Sequence, residues 1–129
     1  MKTIQLSLKK NWFEMTASEV KKEDYRDITP YWCCRFLLWD DKAQSQHKWY
    51  EKLCSGEHSS EQIIIKYIEK GFITFKSFNQ NRMTLGYPSA NKSSRILNIQ
   101  HEGIEVRTGN PEWGAKPDKI YFVIKHGKL

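Results

Sequence analysis

The chain opens on strict alternation. Ile4, Leu6 and Leu8 are interleaved with Thr3, Gln5, Ser7 and Lys9, the two-residue period of a strand with one buried face. The pattern then changes: in "KNWFEMTAS", Trp12, Phe13, Thr16 and Ala17 fall on one stripe of a short helix that Asn11 can cap. After the charged stretch "KKEDYRD", the Thr29-Pro30 pair suits an N-cap and first helical position for "YWCCRFLLW", a run that also reads as a strand. A polar, partly helical stretch, "DDKAQSQHKWYEKLCSGEH", leads to the best-marked helix. There Ser59 and Gln62 have capping-box spacing, Ile64 with Ile68 and Ile63 with Tyr67 share a side, and Gly71 closes the C-terminus.

Beyond this helix the period returns to two. "FITFKSF" alternates, "NQNRMTLGYPSANKSS" reads as a loop with Gly86 and Pro88 in turn roles, "RILNIQHEGIEVRTG" as one or two strands broken at Gly103, "GNPEWGAKPDK" as a compact loop, and "IYFVIK" as a closing strand. Helices fall in the first half and strands mostly in the second. This order predicts an α+β fold over residues 1–129 as one domain, with a mixed, mostly antiparallel, barrel-like sheet capped by helices.

Composition adds a charge and an excess of rings. The formal charge is +6 with a pI near 9.2, and there are five Trp, six Tyr and six Phe among 129 residues, more rings than a core of this size needs. A basic surface favours acidic partners, nucleic acid first. No apolar run is long enough for a signal peptide or a membrane span, "IIIKYI" being the most apolar window. Three cysteines (Cys33, Cys34 and Cys54) make no disulfide framework. The expectation is a reduced, cytoplasmic protein without a membrane partner.

Three segments together resemble the ASCH family of the PUA-like superfamily: "LSLKKNWFEM", a strand leading into a helix; Lys21, Asp24 and Arg26 in "VKKEDYR", which fit a Gly-x-Lys-x-x-Glu-x-Arg pattern; and "GNPEWGAKPDKIYFVIK", a loop delivering a closing strand. Glu19 stands at the pattern's glycine, which puts a non-glycine residue in a turn suited to positive φ. Asp24 replaces the pattern's Glu with a shorter arm. The resemblance implies a small PUA-like β-barrel with helices around it and a cleft for RNA or a nucleotide-like ligand. It also implies a second possibility, since some members look like small amidohydrolases that cleave the acyl group of 4-acetylcytidine, using a Lys, a Thr three residues on and a Glu before the last strand. Lys21, Asp24 and Glu112 are the corresponding catalytic candidates here, as a hydrolase or a ribonuclease, although Asp24 lacks the hydroxyl an acyl-Thr route requires.

The residues themselves favour binding. Lys9, Lys10, Lys21, Lys22, Arg26 and Arg35 crowd the first third of the chain, interleaved with Trp12, Tyr25, Tyr31 and Trp32. Cations hold phosphate and flat rings hold unstacked bases. "NQNRMTLGY" adds Arg82 for a phosphate and side-chain amides for base edges. In "GNPEWG", Trp113 serves as a stacking platform or a barrel plug, the plug being preferred, and Glu112 faces the pocket. The expected ligand-binding set is thus Lys9, Lys21, Lys22, Arg26, Trp32, Arg82 and Trp113. A protein-interaction module for an acidic partner is the third reading. Cys33, Cys34, Cys54 and His58 lack zinc spacing, and there is no Gly-rich phosphate loop or nucleophile elbow, so neither a metal nor a cofactor is expected.

Overall fold

The computed structural model describes residues 2–39, 60–86 and 93–129. In chain order the elements are β1 (Thr3–Leu8), α1 (Lys10–Ala17), β2 (Glu23–Arg26), α2 (Pro30–Phe36), β3 (Leu37–Trp39), α3 (Ser60–Glu69), β4 (Ile73–Phe75), β5 (Gln80–Leu85), β6 (Ile96–Thr108) and β7 (Ile120–His126), with short 3₁₀ turns at Ser93–Arg95 and Pro111–Trp113. Five strands form one curled, barrel-like sheet in the order β1-β5-β6-β7-β2, and β3 pairs with β4 separately. The β1–β5 pair is parallel and the other pairings are antiparallel. The mixed, mostly antiparallel α+β arrangement is therefore present. Among the described residues no helix is long and apolar enough to cross a membrane.

The alternation of the first strand produces its burial. Ile4, Leu6 and Leu8 point into the core while Thr3 and Gln5 are exposed. Opposite them in register lie Asn81, Met83 and Leu85 of β5. Further along the sheet, Ile99 and Ile104 of β6 and Phe122 and Ile124 of β7 complete the apolar interior, with Phe13 of α1, Cys33 and Phe36 of α2, and Ile64 of α3 packed over it. Removal of such side chains from water supplies the fold's main drive, about 1.5–3 kcal/mol for each fully buried Leu, Ile or Phe. On the other face Tyr121, Val123 and Ala115 form a small second cluster with Tyr25.

The signals at Thr29-Pro30 and Gly71 act as expected. Asn11, by contrast, does not cap α1: it lies inside the helix, whose N-cap is Lys9 with no side-chain cap bond. The Ser59 cap lies outside the described residues. The Thr29 hydroxyl accepts the Trp32 N–H at 3.4 Å and Pro30 occupies the first turn of α2. The helix gives way at Leu37, so "YWCCRFLLW" is helix and then strand, both readings sharing one segment. Gly71 closes α3 at φ 78°. Three further expectations need correction. "FITFKSF" forms a strand only over Ile73–Phe75. "NQNRMTL" is not a loop but carries β5 (Gln80–Leu85), an interior strand of the sheet between β1 and β6, in which Asn81, Met83 and Thr84 are buried. Gly103 does not break β6, which runs through a bulge between His101 and Gly103, with Gly103 at φ 117° absorbing the irregularity. The partly helical reading of 40–58, with Cys54, His47 and His58, lies outside the described residues.

Candidate functional site

β1 and β2 are the two edges of the curled sheet. Arg26 links them: its Nη2 donates to the Ser7 carbonyl at 3.0 Å and its Nη1 to the Tyr25 carbonyl at 2.7 Å. Beside this link lies a cleft of about 450 Å³. Ser7, Leu8 and Lys9 form one wall, Lys21, Asp24, Tyr25 and Arg26 another, and Trp12, Trp32, Trp113, Gly114 and Tyr121 complete it. Six of the sequence-predicted site residues therefore meet here: Lys9, Lys21, Asp24, Arg26, Trp32 and Trp113.

Three others do not. Glu112 is exposed on the 3₁₀ turn and is absent from the cleft wall; the turn that places Trp113 and Gly114 against the cleft directs Glu112 away from it. Lys22 follows Lys21 in extended chain and so faces the other way, into a separate cavity with Glu102, His126 and Lys128. Arg82 sits on β5 beside Gln5 and Asn98, opposite in facing to Asn81 and Met83, and lines none of these cavities; its Nε is buried without a hydrogen-bond partner. The plug role for Trp113 also fails, because this ring lines the cleft and joins neither core cluster.

Lys21 reaches the cleft floor through the turn that the Glu19 position foretold. Glu19 has φ 63°, and the N–H groups of Val20 and Lys21 both donate to the Met15 carbonyl at 3.1 Å. The chain reverses at the end of α1, and the Lys21 side chain enters the interior with only 3% of its surface exposed. Its ammonium donates to Asp24 Oδ1 and lies 5.9 Å from the Trp12 ring centre and 6.0 Å from that of Tyr25. Asp24 faces inward because it pairs in register with Ile124, on the buried side of β7.

Behind Asp24 runs a chain of buried polar groups that sequence reading did not find. Asp24 Oδ2 is 2.6 Å from His126 Nε2, His126 Nδ1 is 2.8 Å from Asn81 Nδ2, and Asn81 Oδ1 is 2.7 Å from His101 Nδ1. The Asn81 amide nitrogen also donates to the Lys125 carbonyl at 3.1 Å. That last contact fixes all the others, since a carbonyl only accepts and the amide NH₂ must face it. Asn81 Nδ2 then donates to His126 Nδ1, His126 Nε2–H donates to Asp24, and His101 Nδ1–H donates to Asn81 Oδ1. Every link then sets a donor against an acceptor. The signal for His126 was the parity of the last strand, which places it on the same side as Phe122 and Ile124; Asn81 was hidden by the reading of its strand as a loop.

Electrostatics follow from burial and partners. Burial raises the Asp24 carboxyl, but its bond to His126 and the charge of Lys21 outweigh that and hold it below the usual carboxylate range. Burial lowers the Lys21 ammonium, against the opposing pull of Asp24. Burial likewise lowers Arg26, against the opposing charges of Asp24 and Asp27; its guanidinium donates to backbone carbonyls and lies 5.4 Å from the Trp32 ring. Lys21 and Asp24 thus neutralise one another, and Arg26 and Lys9 give the cleft a surplus of positive charge. Each Asp24 oxygen already accepts a charge-assisted or imidazole hydrogen bond and the residue is only 2% exposed, a poor setting for a base that must reach a reacting water.

The loop wall is held from outside. Tyr25 donates its hydroxyl proton to Glu23 at 2.6 Å and accepts the Asn110 N–H at 2.8 Å, while Arg107 clamps Glu23 through two nitrogens. Asn110 caps the 3₁₀ turn through the Glu112 N–H, and Gly114 leaves it at φ 100°. Cys33 is a buried free cysteine, and among the described residues no cluster of His, Cys, Asp or Glu has the makings of a metal site. No family model, no curated protein and no solved structure matches this chain.

Proposed function

We propose that the protein is an RNA- or nucleotide-binding domain of ASCH-like, PUA-like type, and that the cleft between the β1 and β2 edges is its ligand site. One observation carries the reading: two cations that form no salt bridge among the described residues, Lys9 and Arg26, stand in one concavity with three tryptophans, Trp12, Trp32 and Trp113. Phosphate meets Arg26 and Lys9, and an unpaired base, modified or not, stacks on an indole. Lys21, tied to Asp24, gives the floor a directed N–H donor for a base edge. The RNA-binding reading predicts tryptophan fluorescence quenching by single-stranded RNA at low salt, with affinity falling steeply as salt rises. Lys9→Glu and Trp113→Ala, both at the rim, should each weaken binding about tenfold with the fold intact. A flat salt response, or no quenching by RNA or by mononucleotides at low salt, would refute the proposal.

The hydrolase alternative loses its geometry: Glu112 lies off the cleft, and Asp24 is fully engaged by Lys21 and His126. Turnover of 4-acetylcytidine that Lys21→Ala abolishes would restore it. Preferential binding of an acidic protein over RNA would favour the interaction-module reading instead.

A further inference from the structure

The cleft does not end at Arg26. A second cavity, of about 500 Å³, shares Ser7, Arg26 and Trp32 with it and continues along β1 past Gln5, Tyr31 and Arg35. A third, of about 240 Å³, shares Gln5, Trp32 and Arg35 with the second and reaches Thr3, Lys76 and Phe78. The three form a single groove along β1 from Lys9 back to Thr3, a run of about 20 Å at strand rise. Trp32 lines all three cavities.

The charge along this groove has one sign. Lys9, Arg26, Arg35 and Lys76 follow one another, and no salt bridge engages any of them among the described residues. Among the described residues, no carboxylate lines the second and third cavities, and Asp24 alone lines the first, already matched by Lys21 and His126. Rings alternate with the cations. The Arg35 guanidinium lies 4.5 Å from the Tyr31 ring centre and 5.9 Å from Trp32, which Arg26 approaches from 5.4 Å. Trp32 is backed by Phe36, stacked at 5.2 Å, and so is a rigid platform with cations beside it.

The geometry points to a single strand of nucleic acid, roughly four nucleotides long, as the occupant of this groove, the low end of what one small barrel grips. This rests on the ligand class proposed above and extends it from one cleft to three consecutive subsites. An evenly spaced polyanion with a flat ring at each step matches cations and aromatics repeated along a line. A mononucleotide would fill only the first cavity and leave Arg35, Tyr31 and Lys76 unused. A duplex has its bases paired and stacked on one another, away from Trp32 and Tyr31.

The test is a length series of single-stranded oligouridylates, one to eight nucleotides, with fluorescence anisotropy or tryptophan quenching at low salt. Affinity should rise by about tenfold or more between the dinucleotide and the tetranucleotide and then level off. Arg35→Glu and Tyr31→Ala alter exposed side chains of the second subsite. Each should weaken the tetranucleotide about tenfold while leaving the mononucleotide unchanged, with thermal melts confirming the fold. Mononucleotide binding with no gain on lengthening, or with both variants silent on the tetranucleotide, overturns the groove and leaves the single-cleft reading standing. No binding of any nucleotide or oligomer overturns both. An acidic peptide that outcompetes the tetranucleotide also overturns both, in favour of a protein partner.

Discussion

Asp24→Asn changes one atom and no shape, yet it strikes the centre of the buried polar chain. Asp24 is 2% exposed and Lys21 3%, so neither charge can turn to water. With the carboxylate replaced by an amide, the Lys21 ammonium is left in the interior without a counter-charge. The amide can also offer only one oxygen: it accepts from Lys21 and turns its NH₂ on the His126 Nε2–H, or the reverse. Stranding one member of a buried ion pair costs about 3–5 kcal/mol, against a total stability of about 5–15 kcal/mol for a domain. Urea unfolding read by tryptophan fluorescence should show the midpoint falling accordingly with the slope unchanged.

Two further readouts separate this explanation from a general loosening. Lys21→Met removes the stranded ammonium, so the double variant Lys21→Met/Asp24→Asn should be more stable than the two single effects summed would give, by a coupling of about 1–3 kcal/mol. The pH profile should also change. Asp24 and Glu23 both have folded-state pKa values below the ordinary carboxylate range. Their contribution is therefore complete above the unfolded carboxylate values, about pH 4, and is lost as pH falls through the lower folded values. Asp24→Asn should remove its part of this acid limb and leave that of Glu23. A cost below about 1 kcal/mol, as for an exposed pair, or an unaltered acid limb, would show that Lys21 and Asp24 are hydrated and refute the buried-pair argument.

Two smaller perturbations test the backbone that presents the site. Glu19→Gly relieves a left-handed residue on the surface, and the variant should gain up to about 1 kcal/mol, seen as a melting temperature raised by about 3–4 °C; a loss would mean that Glu19 makes contacts worth more than its strain. Gly109→Ala would set a methyl 2.6 Å from the Tyr25 ring and 2.7 Å from Ala115 Cβ, both in the wall that fixes the cleft loop, so it should cost about 1–3 kcal/mol and loosen the Asn110–Tyr25 bond, checked by calorimetry and by amide exchange at Asn110.

How much of this was legible beforehand follows from what each pattern encodes. Ile4, Leu6 and Leu8 declare one buried face by alternation alone, and Thr29-Pro30 and Gly71 mark helix ends through local bonding and φ. The Lys21, Asp24 and Arg26 spacing could be recognised because a turn and a short strand set it, and so their convergence was legible as well. β5 was not legible. Its inward positions are Asn81 and Met83, with Thr84 also buried, and polar residues satisfied by tertiary partners erase the hydrophobic period on which strand recognition depends. The same cause hid His126 and His101, whose partners lie far away in sequence. Glu112 was misjudged because the side of a 3₁₀ turn that faces a cleft depends on a cap and a left-handed glycine acting together, not on adjacency to Trp113.

That position 24 carries an aspartate, rather than a longer acid or a hydroxyl, has a physical consequence for the kind of site this is. A hydroxyl at position 24 could share its proton with Lys21 and remain open to an acyl carbon. A carboxylate there draws the ammonium into an ion pair, and His126 fills the remaining oxygen, so the pair most like a reaction centre becomes a supporting floor. The cleft and groove cations without a salt bridge among the described residues then include Arg26 and Lys9 at the sheet edges, with Arg35 further along β1, none of which is an acid, a base near neutrality or a nucleophile. Such groups hold and orient an anion without exchanging protons with it. In the binding site proposed above, the recessed Lys21 would contribute direction, the edge cations affinity, and the tryptophans selectivity for a flat ring, a division of labour that suits recognition.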